Sequence, residues 1–351
     1  MNKKFLKFVL SVAMSAMLVS GCGSKNSSEY TDQGMSSLTI QNYSEALGFF
    51  DQAMLSGENP ELIYRGMGLC YMGQGEYRKA ISAFESALSN AGMFPGNLEY
   101  DINYYMAICY YKLGLYNEAI SVYDAIAQLS PKDSEVYILR GTMKLYLSDV
   151  EHAMEDFDKA VSLEKNDYGM YIDVYQCMKD HGYESQGQKY LDVVMAADSD
   201  EISEYDKGRL CYFQGNYTQA SVYLERARSE GNTSSELITL LGECYKRDEK
   251  YEFAAVIYSS YLENCADPII YNQMGLCYVE QGDYNLALGA FQAGIAVQEN
   301  NTCMQTLKLN EIACYEYLHD YDQAATKLAE YMATYQSNSD LEREYAFLTT
   351  R

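Results

Sequence analysis

One tetrad, Tyr-x-x-Ala, recurs along this chain at a nearly fixed interval, and that recurrence limits the fold more than any other feature. It stands at Tyr43–Ala46, Tyr77–Ala80, Tyr116–Ala119, Tyr217–Ala220, Tyr251–Ala254, Tyr284–Ala287 and Tyr321–Ala324, with Val150–Ala153 as a variant and Gly187 as the small residue of a degenerate copy. Successive small residues are 34, 39, 34, 34, 33, 34, 33 and 37 positions apart. A unit of this length cannot bury its apolar face alone, so copies must stack on one another.

The spacing inside a copy says what each unit is. Tyr64, Met67, Gly68 and Tyr71 fall at i, i+3, i+4 and i+7, one face of a helix. Gly73 to Gly75 interrupts it, and Tyr77, Ala80, Phe84 and Ala87 then mark one face of a second helix. Glycine and alanine at 68 and 80 let two backbones approach closely while aromatic rings fill the gaps beside them. Tyr271, Met274, Gly275, Tyr278, Ala287 and Phe291 repeat the pattern. The extra residues that stretch one interval to 39 fall between hairpins, in Asn90 to Asn97.

This pattern resembles the tetratricopeptide repeat (TPR), with Tyr in the usual Trp place and the closing Pro kept at Pro131. The resemblance implies an all-α fold, an α-solenoid wound as a right-handed superhelix of about nine helix-turn-helix hairpins over residues 27–337. Residues 338–351 carry Leu341, Tyr345 and Leu348 on one face, with Glu342, Arg343 and Glu344 opposite, and read as a capping helix and tail.

The amino terminus reads as an address. Lys3, Lys4 and Lys7 precede an apolar run from Phe8 to Val19, too short to cross a bilayer as a helix. The run ends in Val19-Ser20-Gly21-Cys22, which resembles the lipobox of a bacterial lipoprotein signal peptide. The resemblance implies removal of residues 1–21, a diacylglycerol on Cys22, a tether over 22–28, and a body on the extracytoplasmic face of a bacterial cell membrane. Two acyl chains suffice for stable anchoring.

Composition narrows the function classes. The 351 residues hold 50 acidic and 26 basic side chains, a net charge of −24, which becomes −27 once residues 1–21 take away three lysines. A surface this negative repels nucleic-acid phosphates, and its natural complement is a basic protein or peptide. With 48% hydrophobic residues there is ample material for a core. His152, His181 and His319 are the only histidines; they sit near turns of three different repeats and cannot meet at one site. Cys70, Cys109, Cys177, Cys244, Cys277 and Cys314 share one slot of the repeat, where a small buried thiol is expected. Equivalent slots in neighbouring hairpins stand too far apart for disulfides. No Cys-x-x-Cys pair points to zinc. Gly66-Met67-Gly68 lies inside a helix pattern with no strand before it, so packing and not phosphate binding accounts for it. Nothing here implies an enzyme, a cofactor or a metal.

TPR arrays bind proteins or peptides in a groove lined by the first helix of each pair, and the resemblance implies the same here. The outward positions of those helices are Arg65, Leu69 and Met72; Tyr104, Ile108 and Tyr111; Ile138 and Thr142; and Tyr205, Arg209, Tyr212 and Phe213. Tyr and Arg are enriched at binding hot spots. Some of these side chains can equally pack on the next repeat. Arg65 with Leu69, and Tyr104 with Ile108, stand where chaperone-binding repeats carry a Lys/Asn carboxylate clamp, so such a clamp is not expected. The first reading is a membrane-tethered, non-catalytic adaptor or scaffold. The alternatives are a lipoprotein that binds solutes or glycans on its tyrosines, and a structural assembly factor of the envelope.

Overall fold

The computed structural model describes residues 28–39, 42–92, 96–297, 303–334 and 339–351. The signal-peptide and lipobox residues, Cys22 included, lie outside them. Every regular element among the described residues is helical. The chain divides into two compact units, one ending at Val193 and one starting at Val194.

The first unit contains α1 (Glu29–Thr39), α2 (Tyr43–Leu55), α3 (Pro60–Gly73), α4 (Tyr77–Ser89), α5 (Asn97–Lys112), α6 (Tyr116–Leu129), α7 (Ser134–Tyr146), α8 (Val150–Leu163), α9 (Tyr168–Asp180) and most of α10 (Glu184–Ala196). The second contains α11 (Glu204–Phe213), α12 (Tyr217–Ser229), α13 (Ser235–Arg247), α14 (Tyr251–Leu262), α15 (Pro268–Gln281), α16 (Tyr284–Ala296), α17 (Met304–Tyr317), α18 (Tyr321–Thr334) and α19 (Ser339–Leu348). Taken in pairs, α1 to α18 make nine hairpins, and α19 stands last. The second helix of seven of the nine starts at the Tyr of its tetrad. Within each unit most helices pack on the next one or two in sequence, which is how a stack of repeats is held together.

Local chemistry sets the helix ends. Pro60 opens α3 and Pro268 opens α15, where a missing N–H costs nothing. The preceding Asn59 and Asp267 accept from the backbone N–H of Glu61 at 3.0 Å and Ile269 at 2.8 Å. The turn inside each hairpin from the second to the ninth places one residue in the left-handed region. It is glycine in five of them, as at Gly75 and Gly114, and Ser148, Glu249 and His319 in the fourth, seventh and ninth. A left-handed residue reverses the chain in few residues, and a side chain there is strained.

The close approach read from the sequence is present, and its agent is a phenyl ring. A Cβ added at Gly68 would overlap the Phe84 ring, and one added at Gly66 would overlap Phe50 of the preceding hairpin. Helix α3 is therefore clamped from both sides by rings from two different hairpins. The same seat, four residues after the small residue, is filled by Phe157, Tyr258 and Phe291 farther along. In the first unit the buried core runs through Phe50, Phe84, Tyr105 and Tyr123. In the second, separate clusters form around Leu241 and Tyr258, around Phe291 and Leu307, and around Leu328 and Tyr331. Leu348 of α19 is buried in the last of these, so α19 packs over α18 as expected of a capping helix.

Candidate functional site

Packing divides the twelve outward positions predicted on the first helices. Arg65, Leu69, Ile108, Thr142 and Arg209 are buried, which corrects the expectation that they face solvent. Met72, Tyr104, Tyr111, Ile138, Tyr205, Tyr212 and Phe213 remain half-exposed.

In the first unit successive first helices zip to one another. The Nε of Arg65 on α3 donates to Asp101 of α5 at 3.0 Å, its Nη2 reaches the same carboxylate, and its guanidinium lies 5.7 Å from the centre of the Tyr105 ring. Tyr104 on α5 donates its hydroxyl to Asp133, just before α7, at 3.0 Å, and Tyr100 donates to the same oxygen. Burial pushes the Tyr100 phenol up to about 12, helped by the Asp133 carboxylate, and pushes Tyr104 up further. Both stay protonated donors at any ordinary pH. Tyr111 of α5 and Tyr146 of α7 share a hydrogen bond of 3.0 Å between their hydroxyls. Thr142 on α7 lies 3.4 Å from the Cys177 sulfur on α9.

These links leave an aromatic strip in the first unit. Tyr116 and Tyr146 stack with ring centres 4.7 Å apart, and His181 meets Tyr146 edge-on at 4.7 Å. Tyr111 sits 5.5 Å from Tyr146, and Tyr104 sits 5.1 Å from Tyr100. His181 is thus a packing residue whose Nδ1 lies 2.8 Å from the Cys177 carbonyl oxygen, while His152 and His319 are exposed. In the second unit Tyr212 gathers Phe213 at 5.6 Å and Tyr217 at 5.5 Å. Arg209 pairs with Asp206 at 3.3 Å and covers the Tyr205 ring. The two arginines singled out as hot spots both spend their charge inside their own unit.

The six cysteines of the shared slot are buried and free. Burial pushes the thiols of Cys70, Cys109, Cys177 and Cys244 up to about 12, and those of Cys277 and Cys314 up to about 11. Thiols, not thiolates, occupy these seats at neutral pH, so they are poor nucleophiles. No group of three or more metal-ligating side chains gathers among the described residues. What the half-exposed strip offers is rings and hydroxyls, bordered by carboxylates whose neighbouring cations are already paired. That suits contact with a ligand's apolar and cationic groups more than bond-breaking chemistry.

Comparison with known proteins agrees with this architecture. Residues 71–142 match one profile of the tetratricopeptide repeat and residues 134–167 match another. No curated protein matches the sequence. Among solved structures, a human IFIT1 dimer with PPP-AAAA covers 100% of this chain and 86% of its own, at 16% identity and a TM-score of 0.51. A tetratricopeptide repeat protein from Parabacteroides merdae is 17% identical, covers 81% of this chain and 98% of its own, and has a TM-score of 0.47. MamA from Desulfovibrio magneticus RS-1 is 20% identical over 47% of this chain and 91% of its own, with a TM-score of 0.40. Residues 71–167 match tetratricopeptide-repeat profiles, and each unit of the chain is an all-α stack of helical hairpins.

Proposed function

We propose that this chain is a lipid-anchored, non-catalytic adaptor that holds a basic protein or peptide on the extracytoplasmic side of a bacterial membrane. The observation that carries the binding role is the half-exposed aromatic strip of Tyr104, Tyr111, Tyr116 and Tyr146: the hydroxyls of Tyr104, Tyr111 and Tyr146 are tied into inter-hairpin contacts, Tyr116 stacks on Tyr146, and the rings stay partly open. Rings held this way lose little further freedom on binding, which favours contact energy over ordering cost. The acidic balance of 50 against 26 supports the basic character of the partner. The lipobox-like Val19–Cys22 and its basic and apolar flanks support the anchor.

A nucleic-acid ligand, which the likeness to IFIT1 brings to mind, is disfavoured by the same charge and by the internal pairing of Arg65 and Arg209. Binding of Lys/Arg-rich peptides, compared with neutral peptides of equal length by fluorescence anisotropy, tests the adaptor. Basic peptides should bind at low salt and weaken as salt rises. A Met72→Ser, Ile138→Ser, Tyr146→Ser variant that stays helical should lose at least about tenfold in affinity, roughly 1.4 kcal/mol. Equal binding of neutral peptides, or no effect of the variant, would remove this face from the proposal. Cys22→Ala should release the protein from the detergent phase, and continued retention would count against the anchor.

A further inference from the structure

The fourth and ninth hairpins use one structural seat in opposite ways. In the fourth, Arg140 stands three residues before the slot residue Met143 and Asp156 three after Ala153, with Asp124 of the third hairpin five after Ala119. These groups close on each other: the Nε of Arg140 donates to Asp156 at 2.9 Å, its Nη1 to Asp124 at 2.7 Å, and Lys144 adds an ion pair to Asp156 at 2.8 Å. Three helices, α6, α7 and α8, are thereby joined through their charges.

The ninth hairpin places Glu311 and Lys327 at the matching positions, three before Cys314 and three after Ala324, with Gln292 of the eighth hairpin five after Ala287. The sign of the central charge is reversed, and the seat does not close. Glu311 is 5% exposed, and Gln292 donates to it at 3.0 Å and to Tyr315 at 3.1 Å. Lys327 pairs with Glu330 on its own helix at 3.5 Å, and no ion pair joins it to Glu311 among the described residues. A cavity of about 350 Å³ opens among α16, α17 and α18, with Lys308 and Lys327 on its wall beside the two carboxylates and with Ile295 and Tyr331 as its apolar side. That volume lies at the small end of ligand sites. Among the described residues Glu311 receives a neutral amide donor and no ion pair, so no cation there offsets the desolvation of its carboxylate.

We propose that this cleft binds a small zwitterion of the α-amino-acid class, its ammonium on Glu311, its carboxylate on Lys308 and Lys327, and its side chain against Ile295 and Tyr331. The cavity wall carries two positive and two negative groups, so a ligand with one of each leaves the balance unchanged. A lone amine or a lone carboxylate satisfies only one end. This site is separate from the aromatic strip and stands whatever partner the strip holds.

The test is isothermal titration of the full mature chain with a panel of free amino acids, alongside ethylamine and propionate as half-ligands. One or more amino acids should bind saturably, and each half-ligand should bind at least about tenfold more weakly. Glu311→Gln, which keeps the volume and the bond from Gln292, and Lys327→Met should each weaken the amino acid at least about tenfold while circular dichroism stays unchanged. Glu311→Asp should recover part of the loss. Absence of saturable binding at millimolar concentrations, half-ligands that bind as tightly, or unaltered binding in Glu311→Gln would each overturn the proposal. A Glu311 that only braces helices would change the melting temperature of its variants without any ligand dependence.

Discussion

Tyr258 shows how one atom can work against the seat it occupies. Its ring fills the place that Phe50, Phe84, Phe157 and Phe291 fill in other hairpins, pressed against Gly242. Its hydroxyl is buried with no hydrogen-bond partner among the described residues. An unsatisfied buried hydroxyl costs about 1–3 kcal/mol, so Tyr258→Phe should stabilise the protein by roughly that amount. Urea denaturation should show a higher midpoint with an unchanged slope, and a lower midpoint would mean the hydroxyl has a role in the fold. The opposite change at the facing position, Gly68→Ala, drives a methyl into the Phe84 ring and should destabilise by about 1–3 kcal/mol in the same assay.

At the scale of single elements, the first helix depends on one carboxylate. Glu58, in the turn before α3, is buried and accepts from the backbone N–H of Tyr30 at 3.0 Å, the N–H of Thr31 at 2.9 Å and the Thr31 hydroxyl at 2.6 Å. It thus satisfies the open amides at the start of α1, twenty-seven residues earlier in the chain. Burial acts to raise its pKa, but the three donors outweigh it and hold the carboxyl below its ordinary value. A depressed carboxyl adds stability that is fully present above its unfolded pKa of about 4.3 and is lost as pH falls through the folded value. Glu58→Gln should therefore speed hydrogen exchange across 29–39 at neutral pH and flatten its acid dependence, with a cost of about 1–3 kcal/mol confined to α1. Exchange in α1 that is unchanged would show that apolar packing alone holds it. The hairpins, their helix faces and the capping helix were all legible in the sequence, because i, i+3, i+4 spacing and a repeating small residue are local signals. The zipping of first helices was not. Arg65 meets Asp101 across 36 residues, and the stretched interval between their two hairpins hides that register. Periodicity says which side of a first helix faces its own partner, but not that Leu69 and Ile108 on another side are buried as well. Five of the twelve positions read as open are closed, Arg65 and Thr142 against the next first helix and Arg209 beside Asp206 and Tyr205 of its own.

Within each unit, packing that runs mainly between helices adjacent in sequence makes stability a local property. Leu328 is buried in the terminal cluster with Tyr331 and Leu348. Leu328→Ala should open a cavity costing about 2–5 kcal/mol. Hydrogen exchange should then quicken in α17, α18 and α19 while α3 to α8 keep their protection, as expected of a chain of nearest-neighbour couplings. A uniform loss of protection along the chain would show cooperativity beyond neighbours.

The shared thiol slot turns this into something that can be watched. Six of the nine hairpins carry a free, protonated cysteine at the same depth, so each is a dormant label that a thiol reagent reaches only when its own hairpin opens. Mass-resolved alkylation of Cys70, Cys109, Cys177, Cys244, Cys277 and Cys314 along a denaturant series would give the order in which the stack comes apart, read from native residues with no probe introduced.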